Sequence, residues 1–180
     1  MRTLDRLKAW VLRAKEIGVV AIDTETTSLD PMVARLCGFS LAVADNEACY
    51  VPIGHCEGGG QGGTDLFAPE AKLCPDQIPE KEAMEVIQEI LEDPGVLKIG
   101  QNLKYDWQIF ARRGIEIHPY DDTMLMSYVL DAGRGNHGMD DLAERWLGHQ
   151  TIHYEHVAGS GKSQVAFDCV SIEKDRKSVV

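Results

Sequence analysis

The sequence predicts an α/β domain built on a mixed β-sheet, and three observations carry that expectation. Segments alternate in type along the chain: a helix, three strands, a helix, a strand, then further helices. A short apolar run, Val19, Val20, Ala21 and Ile22, has the length and branching of a strand buried on both faces. Farther on, Ala83, Val86, Ile87, Ile90 and Leu91 recur at helical spacing over residues 80–92, and Pro94-Gly95 closes that helix.

The first element is an amphipathic helix over residues 3–16, with Leu4, Leu7, Val11 and Ala14 on one face. Charges run throughout it, so it is not a signal peptide. The apolar strand from Val19 follows. Residues 35–44 and 48–53 read as two strands joined by a turn at Asp45-Asn46-Glu47. Residues 54–77, with Gly58-Gly59-Gly60 and Gly62-Gly63, are expected to be a flexible surface loop. No Walker lysine follows these glycines, which leaves a phosphate cradle poorly supported. After helix 80–92 comes a short strand, residues 96–100. Asn102 is expected to cap a helix over 103–113 that Gly114 ends, with Leu103, Trp107, Phe110 and Ala111 as its apolar stripe. Asp121 or Asp122 caps a helix carrying Met124, Leu125, Tyr128 and Val129. Another holds Met139, Leu142, Ala143, Trp146 and Leu147 and closes at Gly148. Beyond it the periodicity fades. His149, His153 and His156 suit a solvent-facing set better than a metal site, and Gly159-Ser160-Gly161-Lys162-Ser163 lacks the full Walker spacing and reads as a loop.

Composition bounds the function. The chain has 180 residues, 44% hydrophobic and 26% charged, as expected of one globular domain spanning 1–180. No apolar run approaches the roughly 20 residues of a membrane span, so no membrane partner is expected. Five cysteines without CxxC spacing suggest reduced thiols in a cytoplasmic protein and no zinc site. A net charge of -11 is the wrong sign for a broad basic face on nucleic acid.

Chemistry concentrates where the first strand ends, in Asp23-Thr24-Glu25-Thr26. Residues i and i+2 of a strand point to the same side, so Asp23 and Glu25 project together. Like charges so placed repel, and each loses hydration, which favours a divalent cation between them. An oxygen-rich pair suits Mg²⁺ or Mn²⁺. A polar turn has the same composition, and that reading stays open. Asp106 shares its helix side with Asn102, Ile109 and Phe110, an acid at the margin of a buried face that needs a partner. A slight rotation would instead expose it.

Three stretches together resemble a known family: Asp23-Thr24-Glu25-Thr26 with Ser28-Leu29-Asp30; Asn102-Leu103-Lys104-Tyr105-Asp106; and Asp122-Thr123-Met124-Leu125 through Met139-Asp140-Asp141-Leu142-Ala143-Glu144-Arg145-Trp146-Leu147. They are similar, in order, to the 3′-to-5′ proofreading exonuclease domain of bacterial family A DNA polymerases, in the DEDD superfamily. The resemblance implies a ribonuclease H-like fold and two divalent metal ions, Mg²⁺ or Mn²⁺. It implies that Asp23, Glu25 and Asp106 are catalytic metal ligands, and that the substrate is the 3′ end of single-stranded DNA. By position, Thr26, Leu29, Asn102, Tyr105 and Tyr154 match substrate-binding residues, Leu29 as an apolar wedge and Tyr154 as a base-stacking aromatic. The family's third motif, a tyrosine followed three residues later by an aspartate, would begin at Ser178, and its aspartate would fall past Val180. Residues 175–180 diverge, so the C-terminal helix is expected to be missing and activity weak or lost. Asp168 and Asp175 lack the spacing to replace the fourth carboxylate. The uncovered apolar surface would invite self-association. Two alternatives remain: a ribonuclease D-like RNA exonuclease, and an inactive remnant that binds nucleic acid or oligomerises.

Overall fold

In the computed structural model, residues 1–57, 72–152, 156, 158–159 and 165–172 are described. The chain runs α1 (Leu4–Ile17), β1 (Val19–Thr26), β2 (Leu36–Ala44), β3 (Glu47–Pro52), α2 (Glu80–Leu91), β4 (Leu97–Gly100), α3 (Lys104–Ala111), β5 (Tyr120–Asp122), α4 (Thr123–Leu130) and α5 (Met139–Leu147), and a 3₁₀ turn follows at Phe167–Cys169. The five strands lie in the order β3-β2-β1-β4-β5. β1 pairs antiparallel with β2 and parallel with β4, so the sheet is mixed as the sequence predicts.

β1 is the central strand, paired on both edges. Its two faces are not equally covered: Val20, Ile22 and Thr24 are buried, whereas Val19, Ala21 and Asp23 are half-buried. Helices α1 and α2 pack on each other, and Leu7, Val11 and Ala14 join Ile87, Ile90 and Leu91 in one core with the sheet. The hairpin between β2 and β3 turns at Asn46, whose φ of 60° is the left-handed conformation that Asn tolerates. Across from Glu25 stands Gly38, where a Cβ would lie 2.2 Å from the Tyr50 hydroxyl, so only glycine lets Tyr50 close over the strand.

Three expectations are corrected here. Asn102 is not a helix cap: its φ is 56°, and its N–H donates to Asp122 Oδ1 at 3.1 Å. The cap is Asp122, whose carboxylate accepts Asn102 and Leu103 N–H before α3 and Met124 and Leu125 N–H at the start of α4. One buried carboxylate thus satisfies the open donors of two helix starts. β5 was not expected; Tyr-Asp-Asp is too short and polar to show a strand period. The α3 stripe is rotated, so Ile109 is in the core and Trp107 is 37% exposed. Lys98 is 0% exposed within β4, with its ammonium donating to the carbonyls of Asp93, Val96 and His118. Three acceptors for three N–H donors make that burial tolerable.

The glycine-rich segment is described only at its ends, where Cys56 and Leu73 form a β-bridge; residues 58–71 lie outside the described residues. So do Tyr154, Lys162, Asp175 and Ser178. Helices α4 and α5 bury little. Ser127 is the buried residue of α4 and α5 has none, while Val129, Leu130 and Leu147 are 84%, 79% and 79% exposed. Among the described residues no helix is long and apolar enough to cross a membrane.

Candidate active site

The β1 strand ends where the sheet changes direction, antiparallel on one side and parallel on the other. Its pairing with β2 slips between Glu25 and Thr26, and such an irregularity re-aims side chains at the strand's exit. β4 ends beside it at Gly100, and α3 begins there. A cleft of about 730 Å³ opens at this point, lined by Asp23, Thr24, Glu25, Thr26, Thr27, Ser28, Leu29, Gln101, Asn102, Tyr105 and Asp106. Every sequence-predicted site residue among the described residues therefore meets in one cleft; Tyr154 lies outside the described residues.

Asp106 is 3% exposed. Its Oδ1 accepts the Thr24 backbone N–H at 2.9 Å and the Thr24 hydroxyl at 2.5 Å. Thr24 points away from Asp23 and Glu25 along the strand, toward α3, and so ties the acid on the helix to the strand between the other two acids. Sequence reasoning missed this residue; its position between two same-side carboxylates was the available signal. Burial pushes the Asp106 carboxyl up to about 7, the Asp23 charge adds to the shift, and the Thr24 bonds oppose it. Burial likewise raises Asp23 to about 6, against a backbone hydrogen bond from Thr24. Two carboxyl groups raised by burial, one of them raised further by the charge of the other, are poised for a positive partner.

The three acids do not close into a tight cage: among the described residues, no three His, Cys, Asp or Glu side chains converge enough to hold an ion. One oxygen of Asp106 is committed to Thr24, and repulsion from Asp23 favours separation. The donor chemistry still fits a hard divalent cation, since three carboxylates line one cleft and two of them, Asp23 and Asp106, sit in a low-dielectric setting. Asp168 does not join them. It is 4% exposed and paired with Arg35 Nη2 at 2.7 Å, outside the cleft lining.

The remaining residues shape the cleft. Tyr105 donates its hydroxyl to the Ser28 carbonyl and hydrogen-bonds the Thr26 hydroxyl. Leu29 stands 97% exposed at the rim. Gln101 was also missed: Thr123 donates to its Oε1 at 2.6 Å, and its Nε2 donates to the His137 carbonyl at 2.7 Å, which fixes the wall beside Asn102. A model of the 3′-5′ exonuclease family matches residues 1–171.

The chain belongs to the 3′-5′ exonuclease domain family of family A DNA polymerases.

Its relatives agree. DNA polymerase I of Rhizobium leguminosarum is 50% identical over 183 residues, covering 97% of this chain; the chain spans 17% of that polymerase's length. Solved exonucleases share the fold. Brucella melitensis NrnC with bound Mg²⁺ superposes with a TM-score of 0.61 at 21% identity, covering 93% of this chain and 69% of that one. Escherichia coli RNase D, an exoribonuclease involved in structured RNA processing, gives 0.63 at 15% identity, covering 99% and 40%. The ribonuclease H-like α/β architecture expected from the sequence is the one observed.

Proposed function

We propose that this domain removes nucleotides from the 3′ ends of single-stranded DNA with two divalent ions, Mg²⁺ or Mn²⁺, held by Asp23, Glu25 and Asp106. The observation that carries the reading is the meeting of Asp23, Glu25 and Asp106 in one open cleft, with the Asp23 and Asp106 carboxyls both raised by burial and Asp106 raised further by the Asp23 charge. When bound, such ions supply activation of the attacking water and charge stabilisation at the leaving oxygen. Attack forms a new phosphorus–oxygen bond to water and breaks the bond to the 3′ oxygen of the penultimate nucleotide, which takes up a proton. The chain's own part is placement. Leu29 meets the terminal base from the rim, and Thr26, Asn102 and Tyr105 line the wall along the terminal sugar and phosphate. Stacking and backbone contact without base-edge readout give sequence tolerance. Tyr154, outside the described residues, is the proposed stacking aromatic.

DNA is favoured over RNA by the match to DNA polymerase I; the RNase D likeness speaks to fold alone. Matched 5′-labelled DNA and RNA oligonucleotides incubated with Mn²⁺ test the choice, because the 2′-OH is what separates them. Faster shortening of DNA from its 3′ end is expected; preferential loss of RNA would replace this reading with the RNA one.

The apolar side of α4 and α5 supports self-association. Their exposed Leu130, Met139, Trp146 and Leu147 border a cavity of about 380 Å³ into which a second copy's apolar helix would fit. Sedimentation velocity is expected to show a concentration-dependent dimer that Trp146→Glu disperses; a monomer at all concentrations would remove this part of the proposal.

A further inference from the structure

The rim of the cleft is a loop of residues 27–35, and its internal bonds fix its shape. Thr27 N–H donates to the Arg35 carbonyl at 3.0 Å, and Arg35 N–H donates to Thr27 Oγ1 at 3.0 Å, closing the neck. Inside, the Asp30 carbonyl accepts from Val33 and Ala34 N–H, and its carboxylate accepts from Met32 N–H at 2.9 Å. None of these bonds says where the loop sits relative to Asp23 and Asp106. Apolar packing holds the loop only at its end, where Ala34 is 1% exposed in the core, while Leu29, Met32 and Val33 are 97%, 63% and 68% exposed.

Beyond the end held by Ala34 and by the Arg35–Asp168 pair, the loop is gripped from α3 at two points. Tyr105 holds the near side at Thr26 and Ser28. On the far side, Arg112, the residue that follows α3, donates from Nη1 to the Pro31 carbonyl at 2.6 Å and the Ala34 carbonyl at 2.8 Å. Hydrogen bonds from a charged donor are the stronger kind, and one nitrogen bridging two carbonyls fixes both translation and tilt. The helix that Arg112 extends also carries Asp106, so loop and carboxylate share one rigid reference.

We propose that Arg112 is a positioning residue for the terminal nucleotide: by tying Pro31 and Ala34 to α3, it sets where Leu29 stands over the carboxylates. The inference rests on the exonuclease reading above. Without Arg112 the loop keeps its local shape but swings about its neck and the Tyr105 contact. Leu29 then meets the terminal base less well, and the loss falls on binding.

Two replacements separate this role from general support of the fold. Arg112→Met keeps the apolar stem and removes both donors; Arg112→Lys keeps a charged nitrogen able to reach both carbonyls. Exonucleolysis of a single-stranded DNA oligonucleotide with Mn²⁺ is expected to show KM raised about tenfold in Arg112→Met, with kcat within about twofold. Arg112→Lys restores most of the loss. In a Leu29→Ala background, adding Arg112→Met costs no more than about twofold, because both changes act through the same contact. Hydrogen exchange reads the loop without activity: amides of residues 27–35 exchange faster in Arg112→Met, while the Thr24 amide, bonded to Asp106, is unchanged. Unchanged loop exchange, an unchanged KM, a loss confined to kcat, or full additivity with Leu29→Ala would each overturn the proposal. A wild-type protein that shortens no strand overturns the exonuclease reading itself, and so is told apart from failure of the Arg112 role.

Discussion

In metal-free buffer at pH 8, Asp106→Asn is expected to be more stable than the wild type by about 2–4 kcal/mol. The sign follows from the raised carboxyl. In the unfolded chain Asp106 titrates near 3.8, and in the fold near 7. Below pH 4 the group is protonated in both states and costs nothing. As pH rises from about 4 to about 7, the unfolded chain gains stability from ionisation that the folded one does not, so folding stability falls; above 7 the cost is complete. Asn keeps an oxygen for the two Thr24 bonds and removes the repulsion with Asp23, so the penalty disappears with little change of shape. Because Asp106 is 3% exposed, solvent screening trims this only modestly.

Divalent metal should reverse the order. A ligand that binds the folded state alone adds RT ln(1 + [L]/Kd), about 4.1 kcal/mol at a thousandfold excess over Kd, which exceeds that penalty. Mn²⁺ is therefore expected to raise the wild-type denaturation midpoint at pH 8 and to leave Asp106→Asn nearly unmoved. Denaturant titrations of both proteins, at pH 4 and pH 8 with and without Mn²⁺, give all eight values. A wild type that gains stability between pH 4 and 7 in the absence of metal would show that the carboxylate pair is not strained.

Much of this site was legible in residue order, and the reasons are physical. The apolar run at Val19–Ile22 could only be a strand, and a period of two places Asp23 and Glu25 on one side whatever the rest of the fold does. Asp106 was marked by its position on a buried helix side, and the structure buries it. The Tyr105 position in the matched motif was read as a substrate contact; in the structure its hydroxyl bonds the loop bearing Leu29 at Ser28.

What stayed hidden depends on contacts between segments distant in sequence. Thr24 bonds a residue 82 positions away, and nothing local in Asp-Thr-Glu-Thr distinguishes that role from a turn hydroxyl. β5 has three residues and exists because β4 offers an open edge. Asn102 followed the usual N-cap chemistry on paper, but Asp122, brought alongside by β5, took the capping role and left Asn102 free to adopt positive φ and line the cleft. The stripe of α3 was misjudged by about one residue because an eight-residue helix gives too few turns to fix its phase.

The central claim is that the acids of this cleft do exonuclease chemistry, and degradation of a 5′-labelled single-stranded DNA oligonucleotide with Mn²⁺ or Mg²⁺, run beside Asp23→Ala, tests it most directly. The account predicts a ladder that shortens from the 3′ end and weakens on the order of 10³-fold or more in Asp23→Ala, the scale of losing a group that stabilises transition-state charge. A ladder that persists undiminished in Asp23→Ala would place the chemistry elsewhere. No ladder in a wild-type sample that still binds Mn²⁺ would contradict the claim of turnover and leave a nucleic-acid-binding domain in its place.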